Sequence, residues 1–136
     1  MTISLHADPA TDFPFYAGYA TERGYGAGYG YNLNYALRHP TDDAGYLAVL
    51  DTALDALRDY RFGALVLALG FDACGKAPSD ALHLRPDAFR GIGERINALG
   101  VPTVVVQEGN DEIEGVADVI DAFFAGFAPV AVHAVL

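Results

Sequence analysis

The uninterrupted apolar run Ala64-Leu65-Val66-Leu67-Ala68-Leu69 constrains this chain more than any other segment. It is shorter than an ordinary helix, carries no residue that would seek water, and is flanked by turn-forming residues. It therefore reads as a strand buried on both faces, the pattern of a parallel sheet. A second such run, Val101 to Val106, follows a stretch that Pro86 and Asp87 open and Gly100 closes. Proline in the first helical turn and glycine just past the last are boundary signals, so the stretch between reads as a helix. Strand, helix and strand make one crossover unit, right-handed because of the strand twist.

Helical spacing brackets this unit. Leu47, Leu50, Leu54 and Leu57 recur three and four apart after Thr41, Asp42 and Asp43, which are cap candidates. Ile113, Val116, Val119, Ile120, Phe123 and Phe127 form another stripe, with a stop expected near Gly126. Val130 to Leu136 is apolar and fits either a last strand or a tail. The expectation is one domain over 136 residues: a strand and loop over 1–43, alternating helices and strands over 44–127, and the terminal strand or tail over 128–136.

The first third differs. Ile3-Ser4-Leu5 reads as a short strand, and the segment from Asp8 to Tyr31 is a long loop rich in Gly, Tyr and Pro. Ordered loops of this length usually carry function, and the many aromatics argue against disorder. Gly24, Gly26, Gly28 and Gly30 lack the spacing of a dinucleotide fingerprint, the flanking strand and helix, and the lysine of a phosphate-binding loop. Nucleotide binding is excluded on those grounds.

The apolar fraction of 52% with 19% charged residues is that of a soluble globular protein, and no apolar run approaches bilayer-spanning length. No membrane partner is expected. A formal charge of -10, with few and scattered basic residues, excludes a nucleic-acid partner. The same acidity suits a cationic small molecule such as a polyamine, and equally serves solubility. Met1 to Leu5 lacks a secretory pattern, and the lone Cys74 cannot form an internal disulfide, so the expected compartment is the cytoplasm.

In open α/β sheets ligands sit beyond the carboxyl ends of the strands. Three predicted strands end in polar groups there: His6, Asp72, and Glu108 with Asp111. An imidazole and carboxylates from different strands can hold a divalent ion such as zinc, which makes His6, Asp72 and Asp111 one candidate metal set. The structural alternatives are a hydrogen-bonded His6 and an Asp72 that satisfies backbone amides at the next turn. Cys74, close to Asp72, suits packing better than ligation.

Several collinear strings resemble one family. Ser4-Leu5-His6-Ala7-Asp8-Pro9, then Phe13-Pro14-Phe15-Tyr16 and Gly30-Tyr31-Asn32-Leu33-Asn34, are similar to a stretch of the histone deacetylase and acetylpolyamine amidohydrolase family. Leu69-Gly70-Phe71-Asp72-Ala73 and Val104-Val105-Val106-Gln107-Glu108-Gly109 continue the match. The resemblance implies an α/β, three-layer fold with a mostly parallel sheet, corresponding to the C-terminal half of the arginase and deacetylase fold. It further implies Asp72 as a zinc ligand, Phe13 as a wall of the acyl tunnel and Gly109 as part of the pocket floor. Ser4, Leu5 and Tyr31 would serve monovalent cation sites for potassium or sodium.

The departures bear on activity. Where the family has Gly-Gly-Tyr after the glutamate, this chain has Gly109, Asn110 and Asp111. The family's tyrosine hydroxyl stabilises the oxyanion; loss of one such donor costs about a hundred- to thousandfold in turnover, and a carboxylate there opposes the reaction. The family's paired histidines and its Asp-x-His zinc ligands belong to an upstream half absent from this sequence. Catalytic zinc normally has three protein ligands, so Asp72 alone would bind it weakly. The expectation is a deacetylase-like protein inactive by itself, serving as a binding or assembly module. The alternative is a zinc-dependent amidohydrolase completed by another chain. Either reading predicts a homodimer or larger oligomer, or a separately encoded N-terminal half, because a halved sheet leaves apolar surface to cover.

Overall fold

The computed structural model describes residues 1–74, 82–109 and 115–128. They form an α/β protein with parallel strand pairs, in the order β1 (Thr2–Ala7), β2 (Asn32–Leu37), α1 (Asp43–Tyr60), β3 (Leu65–Gly70), α2 (Pro86–Asn97), β4 (Thr103–Glu108) and α3 (Val116–Phe127). Chain contacts divide into two compact units, one of Met1–Phe62 with Ala73–Leu84 and one of Gly63–Asp72 with Arg85–Leu136.

In the first unit β1 and β2 run parallel, with Thr2 opposite Asn32 and Ala7 opposite Leu37. The strand expected at Ile3 to Leu5 is thus longer and includes His6. β2 was not foreseen, because Asn32 and Asn34 interrupt its apolar character; the period-two alternation of Leu33, Tyr35 and Leu37 was the available signal. The two strands are joined by the long loop expected between Asp8 and Tyr31, whose one helical turn is a 3-10 turn at Gly26–Gly28. α1 starts where a carboxylate can satisfy a free amide: Asp42 accepts from Gly45 N at 2.9 Å. It packs on β1 and β2 and buries Leu50, Ala53 and Leu54. Arg61, in the left-handed region at φ 55°, ends it.

In the second unit β3 and β4 run parallel from Leu65 opposite Thr103 to Gly70 opposite Glu108. α2 begins at Pro86 as the boundary signal predicts. It lies against α3, and two glycines set how closely. A Cβ on Gly93 would overlap the Phe123 carbonyl, and one on Gly126 would overlap the Arg90 carbonyl. Gly126 is therefore inside α3 as a close-approach residue, whereas the sequence suggested a stop; the helix runs on to Phe127. Phe89 and Phe123 are the large side chains buried here, and the Phe71 ring lies tilted by 34° against Phe89 with 5.9 Å between centroids.

The expectation that β3 is buried on both faces needs correction. Leu69 is buried, but on the alternate face Val66 is 71% exposed, Val104 60% and Val106 41%. The apolar composition of the strand implied a cover on each side, and among the described residues one side has none. The expected features at Ile113, at Asn110 and Asp111 and at Val130 to Leu136 lie outside the described residues.

Candidate functional site

Side chains alternate along a strand, so Thr2, Ser4 and His6 share one face of β1, opposite Asn32, Asn34 and Ala36 of β2. This polar face holds the loop. Asn32 Nδ2 donates to the Glu22 carbonyl at 2.8 Å and Asn34 Nδ2 to the Tyr19 carbonyl at 3.1 Å. His6 Nε2 meets the Gly18 carbonyl at 2.7 Å, and its Nδ1 meets Ser4 Oγ at 2.7 Å. A carbonyl only accepts, so Nε2 carries a proton and donates it to the Gly18 carbonyl; with the ring in its neutral form Nδ1 accepts a hydrogen bond from the Ser4 hydroxyl. Both nitrogens of His6 are thereby used, the arrangement of a structural histidine. Glu22 closes the knot by accepting from Gly18 N at 2.9 Å. Gly18 tolerates this through its positive φ of 99° and the missing side chain, since a Cβ would come 2.7 Å from Nε2.

The knot presents aromatic side chains to solvent. Phe13 is 78% exposed, and its ring meets Phe15 edge-on at 6.4 Å. Tyr31 packs edge-on against Tyr60 at 5.7 Å, while its carbonyl accepts from Thr2 N at 2.8 Å. Ser4 Oγ keeps a lone pair after donating to His6, so it retains the capacity to face a monovalent cation.

Asp72 belongs to the second unit, two residues past β3. Phe71 beside it is buried and donates its N–H to the Glu108 carbonyl at 3.2 Å. That anchor ties the end of β3 to the end of β4 and leaves the next side chain exposed. The Asp72 carboxylate rests between two bare backbone positions: a Cβ on Gly70 would lie 2.6 Å from Oδ1, and one on Gly109 would lie 2.8 Å from it. Gly109 also adopts φ 66°, a left-handed conformation. No hydrogen bond or ion pair engages the Asp72 side chain among the described residues, and most of the turn after it, residues 75–81, lies outside them.

The sequence-predicted residues thus fall into two groups. Ser4, Leu5, His6, Phe13 and Tyr31 are in the first unit, and Asp72 and Gly109 are in the second. Asp111 lies outside the described residues. Sequence reasoning missed Gly18, Asn32 and Asn34, which pin the loop, and Gly70, which makes room for the carboxylate. The paired asparagines one residue apart were the readable sign of a polar strand face. Among the described residues no group of three His, Cys, Asp or Glu side chains is placed to hold a metal ion. One free carboxylate does not fit a zinc site with three protein ligands.

The histone deacetylase domain model matches residues 1–127. The chain belongs to the histone deacetylase family. That family is typically one of metal-dependent hydrolases. This deacetylase-family chain is 41% identical over 125 residues to acetylpolyamine amidohydrolase of Burkholderia pseudomallei, covering 92% of the chain and 37% of that relative. It is 39% identical over 113 residues to acetylpolyamine amidohydrolase 1 of Pseudomonas aeruginosa, covering 83% of the chain and 33% of the relative. The crystal structure of acetylpolyamine aminohydrolase from Burkholderia pseudomallei superposes with a TM-score of 0.88 at 40% identity, over 93% of this chain and 37% of that one. The fold class expected from the sequence is that of these neighbours. The chain spans about a third of the length of the curated relatives it matches. No described helix is long and apolar enough to cross a membrane.

Proposed function

We propose that this deacetylase-family chain does not hydrolyse amides by itself and serves as a cytoplasmic binding or assembly module. The observation that carries this reading is Asp72: it matches a zinc-ligand segment of the family, yet no described His, Cys, Asp or Glu joins it in a set of three. The residue at the tyrosine position, Asp111, supports the same reading because a carboxylate supplies no phenol to an oxyanion. Incubating the purified chain with added zinc and an acetylated polyamine or acetyl-lysine peptide tests it. No release of acetate above background is expected, and turnover abolished by Asp72→Ala would overturn it.

A second reading has its own support. The Asp72 carboxylate is exposed, unengaged among the described residues and given space by Gly70 and Gly109, as a ligand awaiting partners would be. In this reading the chain is one part of a zinc-dependent amidohydrolase for acetylated lysine or polyamine, with the remaining ligands on another chain. The aromatic wall of Phe13 and the floor at Gly109 then belong to the substrate pocket, and Ser4, Leu5 and Tyr31 to potassium or sodium sites. Activity appearing only on mixing with a partner supports it.

A further inference from the structure

We propose that the imidazoles of His39 and His83 form a binding site for a copper(II) ion. The site lies wholly in the first unit. Asp72, in the second unit, is not among its ligands, so the proposal goes beyond the functional reading above and does not depend on it.

Backbone pairing fixes where the two residues stand. His83 N–H donates to the Thr41 carbonyl at 3.2 Å and Leu84 N–H to the Ala73 carbonyl at 3.0 Å, while Leu82 bridges to Thr41 and His83 to Cys74. His83 is therefore held from both sides. Across this tie, Thr41 Oγ1 donates to the Arg38 carbonyl at 2.5 Å, closing a turn that contains His39. The two ring centroids are 6.2 Å apart and the ring planes differ by 33°. His39 is exposed and His83 half-buried, so solvent and ions reach the pair. Their ring nitrogens take part in no hydrogen bond or ion pair among the described residues. His6 is the contrast, since both of its nitrogens are engaged.

A neutral imidazole with an open nitrogen is the commonest metal ligand among side chains. Two such rings on one ion, each bound at about 2.0–2.1 Å, have centres roughly 4.5 Å apart at a right angle, roughly 5.2 Å apart on a tetrahedral ion and roughly 6.4 Å apart when trans. The observed 6.2 Å falls near the trans end of that range. Trans ligands belong to a square-planar or tetragonal ion, and among nitrogen-bound divalent ions of that geometry copper(II) binds more tightly than nickel or zinc. No third His, Cys, Asp or Glu joins the pair among the described residues. Water therefore fills the remaining positions, which a structural zinc site with its four protein ligands would not allow. The formal charge of -10 favours a cation over an anion between the two rings.

The test titrates the metal-free full chain with copper(II), in a Cys74→Ser background so that the thiol neither reduces nor binds the ion, and records the electron paramagnetic resonance spectrum at one equivalent. The expected result is one copper per chain with hyperfine structure from two imidazole nitrogens, and an affinity that His39→Gln or His83→Gln each lowers at least about tenfold. His133→Gln is the control and should leave spectrum and affinity unchanged. Zinc should bind at least about tenfold more weakly than copper. Because His39 faces water, its variant should melt like the parent, which separates loss of a ligand from misfolding at the half-buried His83. No copper binding, binding that ignores both substitutions, or binding lost equally in His133→Gln overturns the site. Zinc held as tightly as copper overturns the assignment of the ion.

Discussion

The Asp72 carboxylate lies so close to Gly109 that a methyl group there would come within 2.8 Å of Oδ1 and 3.0 Å of Cγ. The contact joins the end of β3 to the end of β4, and it depends on glycine twice, for space and for the left-handed φ of 66°.

Gly109→Ala should therefore be destabilising, by about 1–2 kcal/mol, since alanine at positive φ is strained and the carboxylate must also turn away. Urea unfolding of the variant checks it. An unchanged midpoint would mean the chain can relax at this turn.

The glycines between α2 and α3 give a prediction whose sign separates two effects. Alanine is the better helix former by about 1 kcal/mol, so propensity alone predicts that Gly93→Ala or Gly126→Ala stabilises. Each new Cβ would instead overlap the backbone of the facing helix, and overpacking of this kind costs typically about 1–3 kcal/mol. Rigid backbone should prevail over propensity, and both variants should unfold at lower urea than the parent.

His6→Ala should release the loop rather than unfold the protein. It removes the bonds to Gly18 and Ser4 and leaves the Gly18 carbonyl without that donor, a loss of about 1–3 kcal/mol. Hydrogen exchange should accelerate at the Gly18 and Glu22 amides while those of α2 and α3 keep their rates. Uniform acceleration would show that His6 supports the whole fold.

What the sequence made legible follows from how local each signal is. β3, β4 and α2 were readable because an apolar run, a proline and a glycine each act within a few residues, and the structure places them where expected. β2 was hidden because its asparagines look like loop residues until β1 is beside it. Gly126 looked like a stop because only the facing Arg90 carbonyl explains it. Asp72 could be named from its family segment, but the room around its carboxylate could not, since that depends on Gly70 and Gly109 meeting it in space. The exposure of Val66 was likewise unreadable, because composition tells what a strand is suited to contact and leaves open what stands there.

The most direct test of the account is a calorimetric zinc titration of the metal-free chain, with Asp72→Ala beside it. The account predicts no stoichiometric binding by the chain alone and no difference between the two proteins. Tight binding of one zinc per chain, lost in the variant, would contradict it and show that this chain completes a metal site without a partner.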